Sequence, residues 1–143
     1  MLALTLKSLF GLAQESTFSK KEIFSSQPDS VLVPSGLFDS ILNAKPGSNI
    51  SILFSENVLF NGVVLSNEQA YQNQHTVLIK SNEVNNSIFQ LSKIVISENK
   101  EMFVGRILNS EAENGYLISK NIANNYQLNK ISLKNILQDC SYQ

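Results

Sequence analysis

From Asn49 onward, apolar and polar residues alternate in short runs. Ile50, Ile52 and Phe54 alternate with Ser51, Leu53 and Ser55, and beyond the Glu56-Asn57 turn Val58, Phe60, Gly62 and Val64 alternate with Leu59, Asn61, Val63 and Leu65. A period of two broken by Asn, Glu, Ser and Gly is the pattern of a β-meander. The same pattern predicts strands near Gln74–Lys80, Ser87–Ser97, Met102–Asn109, Gly115–Lys120 and Asn125–Ser132. That makes seven strands at the spacing of a sandwich or small barrel. Ahead of them, Ser30-Val31-Leu32-Val33-Pro34 reads as an edge strand ended by a proline, which cannot donate to a ladder. Gly36–Leu42 carries apolar residues three and four apart, which predicts one or two helical turns capped by Ser35, and Lys45-Pro46-Gly47-Ser48 stops them. Leu133–Leu137 reads as a last strand or a helical turn.

Most of Ile52–Ile94 is written again from Val95 to Ile131. Ser55-Glu56-Asn57 and Phe60-Asn61-Gly62-Val63-Val64-Leu65 are echoed by Ser97-Glu98-Asn99 and Phe103-Val104-Gly105-Arg106-Ile107-Leu108. Leu78-Ile79 returns as Leu117-Ile118, and Phe89-Gln90-Leu91-Ser92-Lys93-Ile94 returns as Tyr126-Gln127-Leu128-Asn129-Lys130-Ile131. Two repeats are too few for a solenoid, so the expectation is one closed body whose halves share a core. Gly62 and Gly105 hold the same position in the two units. A glycine inside a strand marks a bulge, a bend or the close approach of another backbone, so matched bends are expected there.

The first thirteen residues, Met1–Ala13, are apolar apart from Thr5, Lys7 and Ser8. Two readings stay open: the back half of an export signal, with the domain proper running from Gln14 to Gln143, or an amphipathic helix docked on that domain. The run is too short to span a bilayer. Charge and composition narrow the rest. A net charge of -1, from 11 basic and 12 acidic residues, gives no footprint for nucleic acid or an anionic membrane. Arg106 is the sole arginine, and the sole cysteine, Cys140, rules out an intramolecular disulfide framework.

Catalytic parts are scarce. His75 is the only histidine, and the sequence has no H-x-x-x-H or C-x-x-C spacing, so it reads as an ordinary strand-edge or turn residue. A Cys140–His75 pair would need a third, orienting group that the sequence does not indicate. Glu98 with Glu101, and Glu111 with Glu113, fall in polar turns, where carboxylates are solvated rather than shielded for acid chemistry. Phosphate-cradling glycine loops and an EF-hand loop are missing, and no cofactor is expected. The strand aromatics Phe54, Phe60, Phe89, Phe103, Tyr116 and Tyr126 read as core.

Ile52-Leu53-Phe54 leading to Phe60-Asn61-Gly62-Val63, the strand Ser87-Ile88-Phe89-Gln90-Leu91, Val104-Gly105-Arg106-Ile107, Gly115-Tyr116-Leu117-Ile118, and Cys140 soon after the last strand together resemble a known arrangement. It is that of the N-terminal, propeptide-like β domains of secreted bacterial reprolysin-like zinc metallopeptidases. The resemblance covers about two thirds of the chain and implies help in folding, shielding or positioning an attached or associated zinc peptidase, without catalysis. It also implies a role for Cys140 as a thiolate that ligates the peptidase zinc and keeps the enzyme latent. The local Gln138-Asp139-Cys140-Ser141 departs from the usual cysteine-switch context. The expectation is therefore an all-β, secreted or periplasmic, non-catalytic module. Two alternatives are a stand-alone ligand-binding barrel, and a structural protein that pairs through strand edges.

Overall fold

A computed structural model describes residues 24–84 and 87–134. Met1–Ala13, Cys140 and most of Leu133–Leu137 lie outside those residues. The elements are β1 (Ser30–Leu32), α1 (Leu37–Leu42), β2 (Asn49–Ser55), β3 (Val58–Tyr71), β4 (Gln74–Ser81), β5 (Ser87–Ser97), β6 (Lys100–Asn109), β7 (Asn114–Lys120) and β8 (Tyr126–Ser132). All eight strands join one antiparallel sheet in the order β1-β8-β7-β6-β5-β4-β3-β2. β2 to β8 are a plain meander. β1 then pairs with the last strand, Val31 opposite Leu128. This brings the two edges, β1 and β2, beside each other, so the sheet curls into a nearly closed barrel rather than a sandwich.

Curling brings the alternating residues of every strand into one interior. Phe54, Phe89, Leu91, Ile79, Val77 and Leu128 are fully buried there, and Phe89 meets the rings of Phe54 and Phe60 edge-on at 5.6 and 5.9 Å. The bends were expected at two glycines, and both are sites of backbone crowding. A Cβ on Gly62 would stand 2.5 Å from the Lys80 carbonyl oxygen, and one on Gly105 2.6 Å from that of Gln90. Only a residue without a side chain lets the neighbouring strand pass so close.

The sequence repeat maps onto three consecutive strands: β3-β4-β5 in the first unit and β6-β7-β8 in the second. The faces agree, since Ile79 and Ile118 are both buried, as are Leu91 and Leu128. The registers differ. Ile118 lies opposite Gly105, whereas Ile79 lies opposite Val64, two residues past Gly62. A slip of two keeps every side chain on its face, which is why the pattern survives it.

Three expectations are corrected in detail. Ser35 does not cap α1; Gly36 takes that position at φ 78° with no side-chain hydrogen bond. β6 begins at Lys100, which places Glu101 in a strand. β3 continues past Leu65 to Tyr71, because register shifts at Val64/Ser66 and Gln69/Tyr71 interrupt the alternation that the sequence shows.

Candidate functional site

The two ends of the barrel are built differently. At one end α1 lies across the opening. Its Phe38 is buried against Phe103 and Tyr126, with ring centroids 5.1 and 5.5 Å away, and those two rings meet each other at 5.5 Å. The Tyr126 hydroxyl accepts the Phe103 backbone N–H at 2.9 Å. The exit of α1 is held by Asn67 of β3, whose Nδ2 donates to Leu42 O at 2.8 Å and Ala44 O at 2.6 Å. Its Oδ1 then faces His75, so the His75 Nε2 carries the proton and donates to it. The single histidine thus orients Asn67, the side chain that holds the helix end. Lys93 joins Asp39 of α1 at 3.6 Å and Glu101 at 3.0 Å, and the hydrogen bond to Glu101 is the main cause that raises its pKa.

Three hairpins turn at this helix end, β3-β4, β5-β6 and β7-β8. Gly105 pairs with Ile118, so residues Lys100–Met102 of β6 run beyond the paired part of β7. In this extension Tyr71, Gln74, Ile94 and Met102 form one cross-strand row over four strands. The adjacent row, Gln69, His75, Lys93 and Phe103, faces α1, so by alternation the first row faces away from it. Tyr71 is 69% exposed, Ile96 51% and Met102 36%. These large apolar side chains stand in solvent where register shifts at Gln69/Tyr71 and Val95/Ser97 interrupt the ladders.

At the opposite, open end the described chain finishes in Leu133 and Lys134, which are helical. Phe24 turns in from the chain start and meets Tyr116 edge-on at 5.7 Å. Tyr116 donates its hydroxyl to Pro28 O at 2.6 Å. Burial, with the Asp29 carboxylate adding to it, pushes that phenol up to about 12. Between Phe24, Val58, Phe60, Ile107 and Tyr116 lies a cavity of about 130 Å³, and its polar rim includes Asn61, Ser81 and Glu83. Asn61 Nδ2 donates to Glu83 Oε1 at 2.6 Å, while its Oδ1 is buried without a hydrogen-bond partner. Below the rim Asn109 Nδ2 donates to Ser87 Oγ at 2.8 Å.

The remaining sequence candidates do not converge. Glu113 pairs with Lys134 at 3.2 Å, Glu101 is taken up by Lys93, and Glu98 sits in the β5-β6 turn at the helix end. Among the described residues no group of three His, Cys, Asp or Glu side chains is placed to hold a metal ion, and no helix is long and apolar enough to cross a membrane. Sequence reasoning missed the Asn67 clamp and the open-end cavity. The hairpin row had one visible signal, the run Ile94-Val95-Ile96, which is too apolar for a solvated turn. No family model, no curated protein and no solved structure matches the chain.

Proposed function

We propose that this barrel is a non-catalytic module of an exported protein that works by contact with a protein partner. In this reading the partner is a zinc peptidase domain, attached or associated, whose folding, shielding or positioning the barrel assists. The observation that carries it is the row Tyr71–Gln74–Ile94–Met102, with the exposed Ile96 beside it at the Val95/Ser97 register shift, an apolar display at the tips of two hairpins. Exposed apolar groups on an ordered surface are what a partner buries. The filled interior supports the same reading over a ligand carrier. Among the described residues the cavity entering the interior is about 130 Å³, small beside pockets of roughly 300–1,000 Å³ that enclose small molecules, and the larger hollow, about 310 Å³, is an open polar cleft bordered by Asp29, Glu113, Asn114 and Lys130.

The test is to refold the neighbouring peptidase domain with the barrel, without it, and with an Ile96→Asp/Met102→Asp barrel. Active yield is expected to fall in the last two cases. Equal yields in all three would end the proposal. The β2 edge favours a second reading, assembly through strand pairing: β1, which lies beside it, has three residues against seven in β2, and Asn49, Ser51, Leu53 and Ser55 carry no charge to guard the rest. Light scattering that shows a strict monomer at high concentration would remove it.

A further inference from the structure

Five of the ten large apolar side chains that the described residues expose stand at the helix end: Tyr71, Val95, Ile96, Met102 and Ile122. They are spread over three hairpins. Tyr71 closes β3 at the β3-β4 turn, Val95, Ile96 and Met102 flank the β5-β6 turn, and Ile122 is fully exposed in the β7-β8 turn. The turns share a height. Val95 pairs with Glu101 and donates its N–H to Asn73 O at 2.8 Å. Glu101 lies four residues before Gly105, and Ile122 lies four past Ile118, the partner of Gly105. Asn73, Val95, Glu101 and Ile122 are therefore level, two residues or about 7 Å beyond the row of Lys93 and Phe103 that meets α1.

The surroundings of these side chains select what they fit. Tyr71–Gln74 and Asn121–Asn125 carry no charge, and the β5-β6 turn carries one of each sign, Glu98 and Lys100. Lys120, the next cation, lies over the Tyr126 ring at 5.0 Å. The rim is thus close to neutral, with amide side chains between the apolar ones. Adjacent turns are two strands apart, about 10 Å. A protein interface gathers its apolar centre into one packed patch, whereas these side chains are separate points along an arc of the rim. A fluid lipid surface receives such points one by one, takes amides and a tyrosine hydroxyl among its headgroups, and binds more strongly as more apolar area is buried. Phosphocholine, itself one cation and one anion, matches a turn with one acid and one base. An anionic surface calls for a basic cluster, which a net charge of -1 and these turns do not supply.

We propose that the helix end docks on a zwitterionic lipid surface, with the barrel standing on its three turns and Tyr71, Ile96 and Ile122 entering the headgroup layer. This does not rest on the peptidase reading. The two share Tyr71 and Ile96 and are told apart at Ile122, which has no place in the row Tyr71–Gln74–Ile94–Met102.

The chain has no tryptophan, so one introduced indole reports its own position. Full 143-residue chains carrying Ile122→Trp, Ile96→Trp or, as a control at the exposed Leu53 near the open end, Leu53→Trp are mixed with phosphatidylcholine vesicles, with and without bromine on the acyl chains near the headgroups. The emission of Ile122→Trp and Ile96→Trp is expected to shift to the blue and to be quenched by the brominated lipid, while that of Leu53→Trp stays as in buffer. Adding Ile122→Asp to the Ile96→Trp chain is expected to lower the vesicle partition constant about tenfold. Circular dichroism confirms a folded barrel in every variant. Indoles at the turns that stay unquenched overturn the proposal, even where the chain sediments with the vesicles through another segment. Equal quenching of Leu53→Trp overturns it as general adsorption. So does a blue shift of Ile122→Trp that needs the peptidase domain and not lipid, which assigns the turns to a protein. Because Ile122→Asp leaves the row of the peptidase reading untouched, the two readings fail separately.

Discussion

The helix end and the open end solve the same problem with different means. A barrel closed around its axis still has two mouths through which water can reach the core. At the helix end, α1 supplies Phe38 to an aromatic trio, and Asn67 satisfies two carbonyls where the helix stops. At the open end a single ring, Phe24, reaches in from a turn, leaving a cavity and a buried Asn61 oxygen that accepts nothing. Good closure needs both an apolar plug and partners for every backbone group that the plug buries. The helix end has both, and the open end has half of each.

The largest expected effect falls on the waist that both ends share. Gly105→Val must displace the Gln90 carbonyl and Ile118, and it is expected to cost about 3 kcal/mol or more, or to prevent folding, as read by denaturant titration. A destabilisation below about 1 kcal/mol would show that the strands part easily there. Next, Phe38→Ala is expected to lose about 3–5 kcal/mol. Phe24→Ala should lose less, about 2 kcal/mol, because part of its ring already faces empty space and forfeits few dispersion contacts. Equal losses would erase the distinction between the ends.

A smaller effect tests the polar half of the closure. Asn67→Ala leaves Leu42 O, Ala44 O and the His75 ring nitrogen without their partner, for about 1–3 kcal/mol. Hydrogen exchange should report it first in the amides of α1. The smallest effect is at Tyr116. Its phenol holds its proton above the ordinary 10.0, up to about 12, so the neutral form is the one the fold favours. The stability tied to it is complete below pH 10 and is lost as pH rises through that interval. Tyr116→Phe should cost about 1 kcal/mol at neutral pH, through the lost bond to Pro28. It should also flatten the alkaline fall measured by urea titration. An unchanged slope would mean that the phenol ionises in place.

The sequence shows the elements better than it shows their closure. Alternation located β2, β4, β5, β7 and β8 to within a residue or so at each end, because buried and exposed positions differ in polarity at every step. Gly62 and Gly105 were visible because a glycine interrupts that alternation in both units. What escaped depended on partners distant in sequence. Ser66–Ala70 falls between the alternating runs, yet it is the second half of β3 and pairs with β4 after a bulge. Asn67 looks like any surface asparagine until α1 ends beside it. The choice of barrel over sandwich rests on β1 finding β8, and nothing local in Ser30–Leu32 announces that pairing. Among the site residues, His75 reads as an ordinary strand-edge or turn residue and sits beside the β3-β4 turn bonded to Asn67, while the cavity is made by six segments that have no common pattern.

The pairing of β1 with β8 also sets a timetable. Ser30 and Asn129, hydrogen-bonded across these strands, are 99 positions apart. The seven-strand meander can form hairpin by hairpin as the polypeptide leaves the ribosome, since each strand needs only its predecessor. The first strand has to wait for the last. Throughout synthesis Val31 and the interior face of the growing sheet stay uncovered, and closure comes as a single late event after Ser132 has emerged. Premature termination anywhere before that point yields an unclosed sheet with its apolar side bared, so a truncated product is recognisable to proteases and chaperones however much of it has already paired.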